Sequence, residues 1–214
     1  MSETATSYPQ RFEIVKQLQP ILKTGDVLFR QSKTIALGFL PFSQMVGWLT
    51  KSQFSHASIV YVNDGQVFLV ELDEVGTYQL RLTDWLDFCQ GTNRHFAAYR
   101  IDSLTDEMRV PLKKEIENYL DLDPDYDPTY NTPNYCTGSV AYLLESVGAN
   151  PFVPMMPSQA LTKVQYFFFN IFNGLIKKTT GKGFGSSPYY FPGNDKIGML
   201  ASSGISKIYS YPIS

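Results

Sequence analysis

Metal-binding and redox residues are scarce in this chain. Among 214 residues there are two cysteines, Cys89 and Cys136, and two histidines, His56 and His95. Neither pair has the spacing of a zinc site or a disulfide framework, so no metal and no cofactor is expected. Long hydrophobic runs are also missing. The nearest, Ile35 to Thr50 and Tyr166 to Ile176, are broken or too short for the roughly 18–20 apolar residues that span a bilayer. Charge of one sign is lacking too: 18 basic against 20 acidic residues leave a net charge of −2. That balance offers no basic field to nucleic acid, and no nucleic-acid partner is expected. The polar start, Met1 to Ser7, lacks the pattern of a signal peptide. The default is therefore a reducing, cytoplasmic compartment with free thiols, export without a signal peptide being left open.

Aromatic residues, by contrast, are plentiful: fourteen Tyr, fifteen Phe and two Trp. They suit a core with bulky walls or a cleft lined by rings. The length suits one domain with a real core, over residues 10–214, behind a disordered start at 1–9.

The stretch Asn134 to Leu144 organises the reading. Val140, Leu143, Leu144 and Val147 recur at the spacing of one helical face, and Gly148 follows as a stop signal. Pro133 and Asn134 keep the helix from starting much earlier, so Cys136 falls in its first turn. There the unpaired N–H groups and the positive end of the dipole favour a thiolate. A buried structural thiol is the competing reading.

Phe54 to Val62 reads as a strand, Asn63-Asp64-Gly65 as a hairpin turn, and Gln66 to Leu72 as the return strand. With Asn63-Asp64 as the two-residue loop, His56 faces Glu71. With Asp64-Gly65, Glu71 faces Ser58 and lies diagonal to His56. Either register places His56 and Glu71 on one sheet face, because side chains alternate, whereas a three-residue loop would change the parity and separate them. Both hairpin faces are mostly apolar, so the pair is buried and the two groups need each other or a third polar partner. A purely structural His–Glu hydrogen bond is the plainer alternative.

Elsewhere the pattern predicts a short helix over Arg11 to Leu18, strands at Val27 to Phe29, Thr77 to Leu82, Arg94 to Ile101 and Ile205 to Tyr211, and a helical turn after Thr83. Cys89 and His95 read as structural, His95 alternatively as exposed. A helix over Leu104 to Leu120 takes Asp102 or Ser103 as its cap, with Pro111 kinking it or opening its second part. The loop 121–133, rich in Asp, Pro and Tyr, runs straight into Cys136. As one lip of a cleft it makes Tyr126, Asp127 and Tyr130, with Tyr135, candidate substrate-binding residues; as an ordinary linker it is a set of Asx turns. A helix over Ser158 to Lys178 carries four consecutive aromatics. It either packs onto the domain or turns Tyr166 to Phe172 toward a partner or a lipid surface.

A thiolate at a helix start needs a base, and the base needs a group that fixes its orientation. Cys136, His56 and Glu71 supply these roles, with helix-start amides as part of an oxyanion hole. Acyl transfer at an amide or ester carbonyl follows.

The order His, Glu, Cys resembles the circularly permuted papain-like amidases of the YiiX/YaeF type, within the NlpC-like clan. The matching pieces are Thr24-Gly25-Asp26-Val27-Leu28-Phe29-Arg30, Phe54-Ser55-His56-Ala57-Ser58-Ile59-Val60, Leu69-Val70-Glu71, Tyr126-Asp127 and Tyr135-Cys136. The resemblance implies an α+β fold in which an antiparallel sheet packs on the cysteine helix. It also implies Cys136 as nucleophile, His56 as base and Glu71 as orienting residue. The chain departs from the family at Thr137-Gly138, where Ser-Glu is common, and in an aromatic-rich stretch at about 158–190 that reads as an insertion. The expected activity is cysteine-dependent hydrolysis of a small amide or peptide, such as a cell-wall peptide or amino-acid conjugate. The alternatives are a lipid-directed thiol acyltransferase or hydrolase, and an inactive binding module of the same fold. Nothing in the sequence sets the oligomeric state.

Overall fold

The structure is a computed structural model that describes residues 9–31, 47–48, 52–73, 75–86, 95–127, 131–181, 183 and 188–211. One antiparallel sheet of six strands forms its centre, in the order β4-β3-β2-β1-β5-β6. The strands are β1 (Val27–Arg30), β2 (His56–Asn63), β3 (Gln66–Asp73), β4 (Gly76–Arg81), β5 (Phe96–Ile101) and β6 (Ile205–Tyr211). The helices are α1 (Pro9–Leu18), α2 (Asp106–Leu122), α3 (Cys136–Ser146), α4 (Pro157–Ala160) and α5 (Lys163–Thr180).

Alternation along the strands divides the core in two. On one face Val27, Phe29, Ala57, Ile59, Val70 and Leu72 meet Leu112 and Ile116 of α2 and Val140, Leu143 and Leu144 of α3. On the other, Leu28, Val60, Val67, Leu69 and Ala98 meet Ile14 and Leu18 of α1 with Leu82 and Trp85 from the helical turn at 82–86. Both faces are covered, which is why β1 to β3 read as nearly continuous apolar runs.

The hairpin takes the second of the two registers. Asn63 pairs with Gln66 and Ile59 with Val70, so the loop is Asp64-Gly65. Both loop residues have positive φ, 49° and 74°. This is the primed turn whose twist matches paired strands, and Asp-Gly suits it because Gly has no Cβ to clash.

The motif Thr24-Gly25-Asp26 clasps this frame. Gly25 has φ +90°, and a Cβ there would run into the Leu104 and Leu112 side chains. Asp26 is fully buried. It accepts hydrogen bonds from Arg100 at 2.8 and 3.1 Å and from the Lys23 backbone N–H at 2.9 Å. The conformational freedom of Gly25 therefore serves the joint between sheet and α2, and the Asp26–Arg100 ion pair ties the segment before β1 to β5.

Two helix boundaries differ from the sequence expectation. The cap of α2 is Thr105, whose side chain accepts from the Met108 N–H, rather than Asp102 or Ser103, and the helix runs through Pro111 without ending. The single helix expected over Ser158 to Lys178 is divided into α4 and α5. Thr162 and Gln165 form a reciprocal capping box that starts α5 afresh, satisfying helix-end donors that a continuous helix would not expose. Cys89 and Tyr130 lie outside the described residues.

Candidate active site

Cys136 is the first residue of α3, and Tyr135 is the N-cap in an extended conformation, without a side-chain cap bond. The helix starts here because of the segment before it. Asp127 Oδ2 accepts from the backbone N–H groups of Asn131 (3.0 Å) and Thr132 (2.8 Å), and the Asp127 N–H donates to the Asn134 carbonyl at 2.7 Å. Asp127 thus pins the loop that delivers Tyr135 and Cys136.

Tyr135 is buried, and its hydroxyl accepts from the Tyr190 N–H at 2.9 Å. Its ring lies against Gly138, where a Cβ would stand 2.7 Å from two ring carbons and closer still to the Pro133 carbonyl. Thr137 donates to the Tyr190 carbonyl at 3.0 Å. The pair Thr137-Gly138 therefore has a local cause: one residue ties the helix to the segment at 190, and the other leaves room for the tyrosine. Tyr126 is half-buried between the main core and the aromatic cluster of Tyr135, Phe169, Tyr189 and Phe191.

His56 and Glu71 share the sheet face that carries Trp85, whereas α3 packs on the opposite face. His56 is the first residue of β2, and at this end of the sheet it meets both sides. Its Nε2 bonds Glu71 Oε2. That leaves Nδ1 free of Glu71, and Cys136 lies close enough for the His56 charge and the backbone N–H groups of Ala57 and Thr137 to act on its sulfur. The three side chains form one buried chain, Cys136–His56–Glu71, in which Glu71 bonds His56 and the His56 charge acts on Cys136.

Glu71 is held by more than His56. Its Oε1 accepts from Ser58 Oγ at 2.6 Å and from Trp85 Nε1 at 2.5 Å, and its Oε2 also accepts from Arg30 at 3.3 Å. Sequence reasoning did not single out Arg30, Ser58 or Trp85 as partners. Ser58 lay within reach of it, since the Asp64-Gly65 register sets Glu71 opposite Ser58. Trp85 carried no such signal.

The electrostatics follow from this arrangement. Burial alone would protonate Glu71, but Arg30, His56 and the Ser58 hydrogen bond overcome it and hold the carboxyl well below its ordinary range. Burial would likewise discharge His56. Burial is the largest single influence and the Arg30 charge adds to it, but the Glu71 carboxylate and Cys136 together overcome both and raise the imidazole to about 9. Burial pushes the Cys136 thiol up, yet the His56 charge and the Ala57 and Thr137 amides bring it below its ordinary value. Both shifts favour thiolate and imidazolium together.

His95 is exposed just before β5 and lines a separate cavity of about 750 Å³ with Phe96, Asn194, Asp195, Lys207 and Tyr211. Among the described residues no group of three or more His, Cys, Asp or Glu is arranged to hold a metal ion. No described helix is long and apolar enough to cross a membrane.

No protein-family model matches the chain, and no curated protein does so. Among solved structures, the chain is similar to the crystal structure titled metalloprotein yiiX, from Escherichia coli O157:H7. The identity is 16%, the TM-score 0.66, and the match covers 87% of this chain and 96% of that one. The residues described here do not supply the donor set that the word metalloprotein in that title would need. The likeness lies in the fold: a mixed α+β, YiiX-like fold built on one antiparallel sheet.

Proposed function

We propose that this protein is a cysteine-dependent amide hydrolase of the circularly permuted papain-like kind, with Cys136 as nucleophile, His56 as general acid and base, and Glu71 as the orienting residue. The observation that carries the reading is the buried Cys136–His56–Glu71 chain at a helix start. The Cys136 thiolate attacks the substrate carbonyl carbon. The carbonyl oxygen, now anionic, is met by the Cys136 backbone N–H, one of the first-turn amides left without an intrahelical acceptor. As the C–N bond breaks, the imidazolium of His56 gives its proton to the leaving amine. Water then attacks the thioester, His56 accepts its proton, and the acid departs as the thiolate is restored. Glu71 keeps Nε2 occupied, so Nδ1 stays directed at the sulfur.

The substrate we propose is a small peptide or amino-acid conjugate, such as a cell-wall peptide. Tyr126 and Asp127 belong to the segment that leads into Cys136, and Tyr135 is the N-cap of its helix. Of these, Tyr135 and Asp127 act through the backbone they hold. A second reading, hydrolysis or transfer of an acyl group from a lipid, is favoured by the apolar surface that α5 leaves open beside the site.

The test is amine release from a panel of aminoacyl and γ-glutamyl amides. Activity lost in Cys136→Ala and kept in Cys89→Ala is the expected result. Equal activity in both variants, or none in wild type together with tight binding of a panel member, would sink the hydrolase reading, and the latter would leave a binding module.

A further inference from the structure

Helix α5 carries two parallel stripes one residue apart. Gln165, Phe169 and Phe172 follow the i, i+4, i+7 spacing and are buried. Phe169 packs with Tyr135, Tyr189 and Phe191, next to the start of α3. Val164, Phe168 and Ile171 follow the same spacing on the adjoining side, with Phe167 beside them, and each leaves 49% or more of its surface exposed. Trp48, equally exposed, extends this surface: its ring meets Phe168 edge-on at 5.7 Å, and its carbonyl accepts from Gln165 Nε2 at 3.0 Å. An exposed cluster of this kind, with three aromatic rings, calls for an occupant.

The charge on the helix says which. The chain as a whole is net acidic. Lys163–Thr180 nevertheless contains Lys163, Lys177 and Lys178 and no Asp or Glu. The lysines stand at the two ends of the apolar stripe and are exposed. A face of Trp, Phe and aliphatic side chains flanked only by cations matches the boundary of an anionic bilayer, where rings enter the headgroup region and lysines meet phosphate and serine headgroups.

We propose that this face of α5, with Trp48, docks on the surface of an anionic phospholipid membrane, lying along it without crossing. The buried stripe of the same helix touches Tyr135, so docking sets the start of the cysteine helix one helix thickness from the lipid. The binding needs no turnover and stands independently of the hydrolase reading.

Flotation of the full chain with vesicles tests it. Phosphatidylcholine vesicles containing phosphatidylserine should carry the protein upward, and pure phosphatidylcholine should carry much less. Phe168→Glu with Ile171→Glu should remain at the bottom with an unchanged melting curve, since both side chains point outward. Lys177→Gln and Lys178→Gln should each weaken binding to the anionic vesicles roughly fivefold, about the loss of one lysine near a charged surface. Cys136→Ala should float like wild type, which separates this result from any result on hydrolysis. The proposal is overturned if neither vesicle carries the protein, or if the double glutamate variant floats undiminished. It is overturned equally if light scattering finds a wild-type dimer that the glutamates dissociate while flotation is absent, which would assign the face to a second copy of the chain.

Discussion

Arg30 and His56 face each other across the β1–β2 ladder, and both bond the same oxygen of Glu71, Oε2. One carboxylate therefore balances two cations in a buried site, while Ser58 and Trp85 occupy its other oxygen. Arg30 opposes the charging of His56, and Glu71 promotes it. How much imidazolium is present depends on keeping that carboxylate ionised and in place.

Glu71→Gln removes the charge and keeps the shape. His56 then loses the group that holds it protonated, so Cys136 loses its imidazolium partner. Alkylation of Cys136 by iodoacetamide, followed by mass spectrometry, should shift toward the ordinary thiol range near about 8.5. Arg30 also loses its buried counter-charge, and denaturant unfolding should report a destabilisation of about 3 kcal/mol. An unchanged alkylation profile would mean that Glu71 does not set the state of the pair.

His56 and Cys136 have opposite linkage to pH. His56 is raised from 6.5 to about 9, so its stabilisation is complete below pH 6.5 and is lost as pH rises through about 9. Cys136 is lowered from 9.0, so its stabilisation is complete above pH 9.0 and is lost as pH falls through its folded value. Between those limits the two slopes oppose each other, and wild-type stability should change little. Cys136→Ala should uncover the His56 slope: stability that falls as pH rises above 6.5, read from denaturant midpoints. A variant as flat as wild type would contradict the charged pair.

Gly138→Ala should damage the site through the scaffold. The added methyl meets the Pro133 carbonyl and the Tyr135 ring within the first turn of α3. Overpacking of this kind costs about 1–3 kcal/mol. Because Tyr135 precedes the nucleophile, thermal melting should fall and Cys136 alkylation at neutral pH should slow together. A normal melting curve with normal alkylation would show that the turn yields freely.

What local chemistry governs was legible along the chain. The extent of β6, the placement of Cys136 in the first turn of its helix and the common face of His56 and Glu71 all follow from short-range patterns: periodicity, Pro and Gly punctuation, and strand parity. The choice between the two hairpin registers was left open. The structure resolves it through positive φ at both Asp64 and Gly65, a conformation favoured once the flanking strands twist together.

Contacts between distant segments were not legible, because no periodicity records them. Trp85 reaches Glu71 from the helical turn after β4, and Thr137 and Tyr135 are tied to Tyr190 by bonds spanning more than fifty positions. The break between α4 and α5 depends on a capping box that apolar periodicity overrides in a sequence reading. Which aromatic residues of α5 face outward was likewise decided in three dimensions. A run covering most of a helix's circumference has no preferred side until one stripe finds Tyr135 and its neighbours to pack against. Sequence alone thus determined which residue types stand at helix starts and on strand faces. Tertiary structure decided which of them meet, because burial and charge act between surfaces that only folding brings together.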